Sequence, residues 1–146
     1  MTTIPFIIAI AGTSGAGKTT IVNLLAKRLN NSPTMFFDSY ENAETYPTDM
    51  HAWLDHGADV NAVKSPQMVA DIQVLKAGGS VTLPDRRVIP ARPQYVVIEE
   101  PTGRERDVMK PLLDFVVCID LPLELAMGRR VVRNIKASIL NGDDDT

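Results

Sequence analysis

Eight residues near the N-terminus constrain this chain more than any others. Gly12-Thr13-Ser14-Gly15-Ala16-Gly17-Lys18-Thr19 matches G-x-x-x-x-G-K-[ST] at each fixed position. Ile4-Pro5-Phe6-Ile7-Ile8-Ala9-Ile10-Ala11 precedes it, a nearly unbroken apolar run that suits a buried parallel strand. Beyond it, Ile21, Leu24, Leu25 and Leu29 recur at helical spacing and predict one buried helix face. Strand, glycine-rich turn and helix together form the setting in which this pattern binds phosphate. Gly12, Gly15 and Gly17 give the backbone the freedom to aim several N–H groups at one anion. The helix start adds unpaired N–H groups and the positive end of its dipole. Lys18 is expected at the β- and γ-phosphates, and the Thr19 hydroxyl at a Mg²⁺ ion. Gly12 through Thr20 (with Thr13, Ser14, Ala16 and Thr20 between and after the fixed residues) is the expected nucleotide-binding segment.

The bulk properties narrow the remaining classes. With 146 residues, 45% of them hydrophobic, the chain suits a single domain with a real core. A net charge of −3 provides no global basic field, which argues against broad binding to nucleic acid or a membrane surface. No apolar run approaches the roughly 20 residues of a membrane span. No Lys or Arg precedes Lys18, so a signal-peptide basic region is absent from this sequence. The one cysteine, Cys118, excludes an internal disulfide. Its neighbours Phe115, Val116, Val117 and Ile119 predict a buried small hydrophobe, not a reactive thiol. This cysteine usage fits a reducing cytoplasm, so a cytoplasmic location is expected. The acidic tail from Asn141 to Thr146 is expected to fray.

Further along, the first helix is expected from Lys18 to about Leu29, ended by Asn30-Asn31-Ser32-Pro33. Thr34-Met35-Phe36-Phe37 reads as a second strand that delivers Asp38-Ser39-Tyr40 to the sheet edge where α/β folds bind ligands. Asp38 there either meets a phosphate or caps a turn. Glu41 to Val63 has no clean period and reads mainly as a solvated loop, with Trp53 packed on the core. Asp49, His51, Trp53, Asp55, His56 and Asp59 are its candidates for lining a substrate pocket, with Asp49 and His51 foremost. His51 and His56 have no Cys or third His at suitable spacing, which argues against zinc. Ser65-Pro66 starts a helix whose face is Met68, Val69, Ile72 and Leu75, and Gly78-Gly79 ends it. Ser80 to Pro93, rich in proline and arginine, reads as irregular, with Arg92 a candidate for an anionic or hydroxylated substrate.

Two apolar strands then end in acids. Tyr95-Val96-Val97-Ile98 is followed by Glu99-Glu100, and Phe115 to Ile119 by Asp120. Either end offers a metal-side carboxylate, and only one of the two strands is expected to lie beside the loop strand. A last helix is expected from Pro122 to about Leu140, with Leu125, Val132, Ile135 and Ile139 facing inward. It carries Arg129, Arg130 and Arg133, and guanidinium groups suit charge stabilisation on phosphate.

Taken together, these blocks resemble the uridine kinase family and its relatives, nicotinamide riboside kinase, phosphoribulokinase and bacterial pantothenate kinase. Ile10 to Thr20 is similar to that family's opening G-x-S-G-S-G-K-T, and Asp38-Ser39-Tyr40 to its D-x-[FY]. Val96-Val97-Ile98-Glu99 resembles its strand ending in a Glu near Mg²⁺. Leu125 to Asn134 resembles its R-R-x-x-R-D lid. The resemblance implies Asp38 as general base, Glu99 and Thr19 on the metal side, and Lys18, Arg129, Arg130 and Arg133 on the phosphates. It also implies ATP and Mg²⁺ as cofactors and a small-molecule hydroxyl acceptor, most simply a nucleoside. Tyr40, Asp49, His51 and Arg92 are the candidates on the acceptor side.

Three positions depart from the family pattern. Glu100 stands where the family has Gly, Asn134 replaces the lid Asp, and Pro84-Asp85-Arg86-Arg87 replaces a Tyr-Asp pair ahead of a basic residue. Family members also continue with a further strand and helix after the lid. The expected architecture is therefore a three-layer α/β fold, with a mainly parallel sheet and helices on both faces. It forms one domain over residues 1–146 without that last strand and helix, and homo-oligomerisation is left open. Two other functions compete. One is a kinase for a nucleotide or phosphorylated metabolite, with the arginines from Arg86 to Arg92 binding the acceptor phosphate. The other is a non-catalytic, nucleotide-binding regulator. A GTPase is disfavoured because Asn134-Ile135-Lys136-Ala137 does not supply Asn-Lys-x-Asp, and a transport ATPase because no Ser-Gly-Gly occurs.

Overall fold

The computed structural model describes residues 3–13 and 15–141, so Ser14 of the loop and residues 142–146 of the tail lie outside the described residues. In chain order the elements are β1 (Phe6–Ala11), α1 (Lys18–Arg28), β2 (Thr34–Phe36), α2 (Met50–Asp55), α3 (Pro66–Lys76), β3 (Val81–Thr82), β4 (Val88–Ile89), β5 (Tyr95–Glu99), β6 (Phe115–Cys118) and α4 (Leu123–Asn141). Short 3₁₀ turns lie at Phe37–Tyr40, Val60–Ala62 and Gly103–Glu105.

β1, β2, β5 and β6 form one parallel sheet in the order β2-β5-β1-β6. The chain leaves β1 toward β2 on one side, and later crosses from β5 past β1 to β6 on the other. The order therefore switches at β1, and the carboxyl end of β1 is where an open α/β sheet binds its ligand. Both acid-terminated strands flank β1, since Ile10 aligns with Glu99 on one side and with Val117 on the other. The expectation that only one would lie beside β1 is corrected: an interior strand has two neighbours.

Alternation along the strands builds two cores. Ile7 and Ala9 of β1 and Val96 and Ile98 of β5 pack with Met68, Ile72 and Leu75 of α3. Ile8, Ile10 and Val97 point the other way, against Val22 and Ala26 of α1. Helices thus cover both faces, as expected. α1 buries Lys18, Val22 and Ala26, and Leu25 and Leu29 pack partly; Ile21 and Leu24 are exposed. The inner face is rotated from the one the aliphatic spacing suggests, because Lys18 must reach inward to the loop.

Other expectations are revised. The segment from Ser80 to Pro93 contains a small antiparallel hairpin, β3 with β4, turned through Leu83 to Arg87. Glu41 to Val63 contains α2 and one 3₁₀ turn, with Trp53 partly packed on the core and its indole N–H donating to the Asp59 carbonyl (2.9 Å). Cys118 is exposed, because β6 is the edge of the sheet and, among the described residues, no strand pairs with its outer side. Leu125, Val132, Ile135 and Ile139, expected to face inward, are each at least half exposed, and Ala126 is the buried residue of α4. No described helix is long and apolar enough to cross a membrane.

The contrast between β5 and α4 is measurable. Ile98→Ala is expected to cost about 2–5 kcal/mol in urea denaturation, as a fully buried aliphatic deletion. Ile135→Ser on α4 is expected to change stability by less than about 0.5 kcal/mol.

Candidate functional site

The loop between β1 and α1 takes the conformation its glycines permit. Gly15 has φ +84°, and Gly17, the residue before α1, has φ +93°. Gly15 also has no room for a side chain, since a Cβ there would stand 2.2 Å from the Ala126 carbonyl oxygen of α4. α4 therefore docks on the loop through Gly15 and the buried Ala126. Arg129, one turn on, brings its guanidinium to 3.9 Å from the Cβ position of Gly17.

These pieces close a cleft of ≈ 950 Å³. Its loop side consists of Gly15, Gly17, Lys18, Thr19 and Thr20. Arg129, Arg130 and Arg133 come from α4, Glu99 and Pro101 from the end of β5, and Asp38, Glu41, Tyr46 and Met50 from the segment after β2. Lys18 Nζ donates to the Thr13 carbonyl (2.9 Å), and burial pushes its pKa down while Glu99 and Asp38 pull it up. The three arginines form no ion pair among the described residues, and the Asp38 carboxylate accepts no hydrogen bond among them.

Strand alternation separates the two neighbouring acids. Glu99 shares the parity of Val97 and so faces α1, where the Thr19 hydroxyl donates to its Oε2 (2.8 Å). Burial raises the Glu99 pKa, the nearby Asp38 charge adds to that, and the Thr19 hydrogen bond opposes it. Glu100 turns to the opposite face. It is fully buried and paired with Arg106, whose Nη2 donates to Oε2 (2.8 Å) and whose Nε donates to Oε1 (3.3 Å). Arg106 also donates to the Val63 carbonyl (3.0 Å) and lies over the Phe37 ring at 5.2 Å. Burial dominates the Glu100 pKa and raises it against the pull of Arg106. Glu100 is thus an interior residue, Asp120 is exposed outside the cleft, and of the three candidate acids Glu99 alone lines it.

No trio of His, Cys, Asp or Glu able to cage a metal occurs among the described residues. A Mg²⁺ held by one hydroxyl, one carboxylate, waters and substrate phosphates needs no such cage. Thr19 and Glu99, hydrogen-bonded to each other at the loop, are a donor set of that kind.

The other candidates lie elsewhere. Gly12 donates its amide to the Pro101 carbonyl (3.2 Å), and Ala16 is buried beneath the loop. Tyr40 is buried, and its hydroxyl donates to Asp71 Oδ2 (2.8 Å), which together with burial raises its pKa. Asp49 caps α2 by accepting from the Ala52 amide (2.9 Å). His51 and Arg92 are exposed and outside the cleft lining. Of the acceptor-side candidates of the sequence, Tyr40 thus packs in the core and Asp49 caps a helix, and neither lines the cleft. Glu41, Tyr46, Met50 and the interior Arg106 were missed. For Glu41 a signal existed, since it lies three residues after Asp38 across a single 3₁₀ turn, where such positions eclipse.

Two outcomes follow. Arg106→Met strands the buried Glu100 charge and is expected to cost about 3–5 kcal/mol in urea denaturation, most of it recovered when Glu100→Met is added. For Glu99, the raised pKa means that ionisation costs the folded state. Its stabilising share is complete below the ordinary glutamate range and is lost as pH rises through the raised value. Ligand-free Glu99→Gln is therefore expected to exceed wild type by on the order of 1 kcal/mol at neutral pH. That gap closes as pH falls, read from melting curves in metal-free buffer.

Comparison with known proteins places this geometry. No family model matches the chain. A uridine kinase of Brevibacillus brevis is 27% identical over 144 residues, covering 90% of this chain and 67% of that relative. A uridine kinase of Staphylococcus aureus is 27% identical over 146 residues, covering 89% and 69%. A solved structure described as that of a possible uridine kinase from Bacillus stearothermophilus superposes with a TM-score of 0.59 at 24% identity, over 86% of this chain and 76% of that one. The α/β architecture expected from the sequence is thus the fold of that neighbour, and over most of its length the chain is similar to these uridine kinases.

Proposed function

We propose that the chain transfers the terminal phosphoryl group of ATP to a hydroxyl of a small molecule, most simply a nucleoside or nucleoside-like compound. The observation that carries this reading is the division of charge inside one cleft. Lys18, Arg129, Arg130 and Arg133 line it with cations, and Asp38 reaches it with a carboxylate that has no hydrogen-bond partner among the described residues.

The cations suit a polyanion. Loop amides and Lys18 receive the phosphates, and Lys18 exchanges its Thr13 carbonyl for them. Arg129, Arg130 and Arg133 neutralise charge on the equatorial oxygens of the moving group. Thr19 and Glu99 would hold Mg²⁺, which when bound would supply charge neutralisation at the phosphates. Asp38 orients the acceptor hydroxyl and takes its proton as the new P–O bond forms. Positioning and electrostatics carry the reaction.

The test is ATP consumption with Mg²⁺ against a panel of nucleosides, vitamins and sugars. One acceptor should turn over. Asp38→Ala should lower kcat by about 10²–10⁴-fold while ATP affinity stays within about twofold. ATP binding without turnover on any acceptor would instead make this a nucleotide-binding regulator.

A further inference from the structure

The part of the cleft lining that follows β2 carries acids and, among the described residues, no cation. Asp38 and Glu41 sit three residues apart across the 3₁₀ turn after β2, and both line the cleft. The Glu41 amide donates to the Asp38 carbonyl (3.3 Å), closing the turn between them. Tyr46 donates its hydroxyl to Glu41 Oε1 (2.7 Å), and Oε2 accepts no hydrogen bond among the described residues. Burial and this bond raise the Tyr46 pKa, so the phenol stays a donor at neutral pH.

The pair is held from below. The Asn42 amide donates to Thr45 Oγ1 (2.9 Å), the Thr45 amide to the Asn42 carbonyl (3.1 Å), and the Lys64 amide to the Thr45 carbonyl (2.8 Å), with Thr45 itself buried. A carboxylate on an otherwise exposed loop is thereby fixed with one oxygen spare and pointed at the cleft where Asp38 stands. The arginines that would have to receive an acceptor phosphate are elsewhere. Arg87 is spent on Asp85 (2.6 Å) and Thr34 (2.9 Å), Arg86 and Arg92 are exposed outside the cleft, and Arg106 is buried on Glu100.

We infer that Glu41, braced by Tyr46, is the specificity-determining residue of the acceptor side: it accepts a second hydroxyl of an unphosphorylated diol such as a ribose and repels acceptors that carry a phosphate. This rests on the phosphotransfer reading for which side of the cleft receives the acceptor. Two carboxylates facing one space favour hydroxyl donors and disfavour an anion, whose desolvated charge would meet like charge. The same arrangement ranks a cationic diol above a neutral one.

The experiment measures binding, so that turnover is not required. With Mg²⁺ and a non-hydrolysable ATP analogue bound, calorimetry compares uridine, cytidine, adenosine and guanosine with their 3′-monophosphates, which keep the 5′-hydroxyl. At least one nucleoside is expected to bind, and its monophosphate at least about tenfold more weakly. Glu41→Gln should weaken the nucleoside about tenfold, and Tyr46→Phe by less, with analogue affinity and melting temperature unchanged. Glu41→Lys should invert the preference toward the monophosphate. A monophosphate that binds wild type as tightly as its nucleoside, an unchanged Glu41→Gln, or no nucleoside binding beside a bound analogue would each overturn the assignment. Failure of the analogue itself to bind would instead overturn the phosphate-loop reading on which it rests.

Discussion

Two adjacent carboxylates end β5, and the molecule depends on their pointing apart. Glu99 and Glu100 are both nearly inaccessible to water. Side by side on one face they would repel, and burial would force one of them to hold its proton. Strand geometry sends successive side chains to opposite faces, so each finds a different partner. Glu99 meets the hydroxyl of Thr19 in the first turn of α1, and Glu100 meets the guanidinium of Arg106 in the α3-side core. The first contact ties the strand end to the phosphate loop. The second ties the same strand end to Phe37, the residue before Asp38, through the stacked guanidinium. Asp38, the proposed base, and Glu99, the proposed metal-side carboxylate, are thus both tied to one buried hub.

The cleft beside that hub carries charges of both signs. The four cations lie on the loop and on α4, which approaches the loop so closely at Gly15 that only glycine fits. Of the carboxylates, Asp38 and Glu41 follow β2, and Glu99 ends β5 beside the loop. With no ion pair closing across the gap among the described residues, the electrostatic demand of each wall is left for a ligand to satisfy. Lys18 shows the ligand-free compromise: burial lowers its pKa, and its ammonium settles on a backbone carbonyl of its own loop.

How much of this the residues announce depends on whether the signal is local. The loop is local: fixed glycines, Lys18 and Thr19 in a strand–turn–helix context leave few alternatives. β1, β2, β5 and β6 were legible for the same reason, since runs such as Val96-Val97-Ile98 admit little but a buried strand. The choice among Glu99, Glu100 and Asp120 was not legible from apolar runs. It needs the parity of β5 relative to whichever face α1 covers, a relation that only the assembled sheet defines. Tyr40 misled because an aromatic beside a catalytic-type Asp reads as a ligand contact, whereas its ring completes the α3-side core and its hydroxyl satisfies Asp71. Arg106 was hidden because nothing in a single sequence pairs it with an acid six positions away across a turn.

α4 is the instructive failure. Leu125, Val132, Ile135 and Ile139 have the spacing of a core-facing stripe, yet the helix touches the body mainly through Ala126. Periodicity reports that a helix is amphipathic and not what covers its apolar side. What fixes the rotation of α4 here is the opposite requirement, that Arg129, Arg130 and Arg133 reach the cleft while a carbonyl sits against Gly15. Charge placement and one close backbone approach therefore outrank the apolar stripe in setting this helix. A helix seated by so small a buried contact can shift about its loop more readily than one sunk into the core. That is the mechanical property the proposed phosphotransfer asks of an element whose arginines would close over phosphate and then release it.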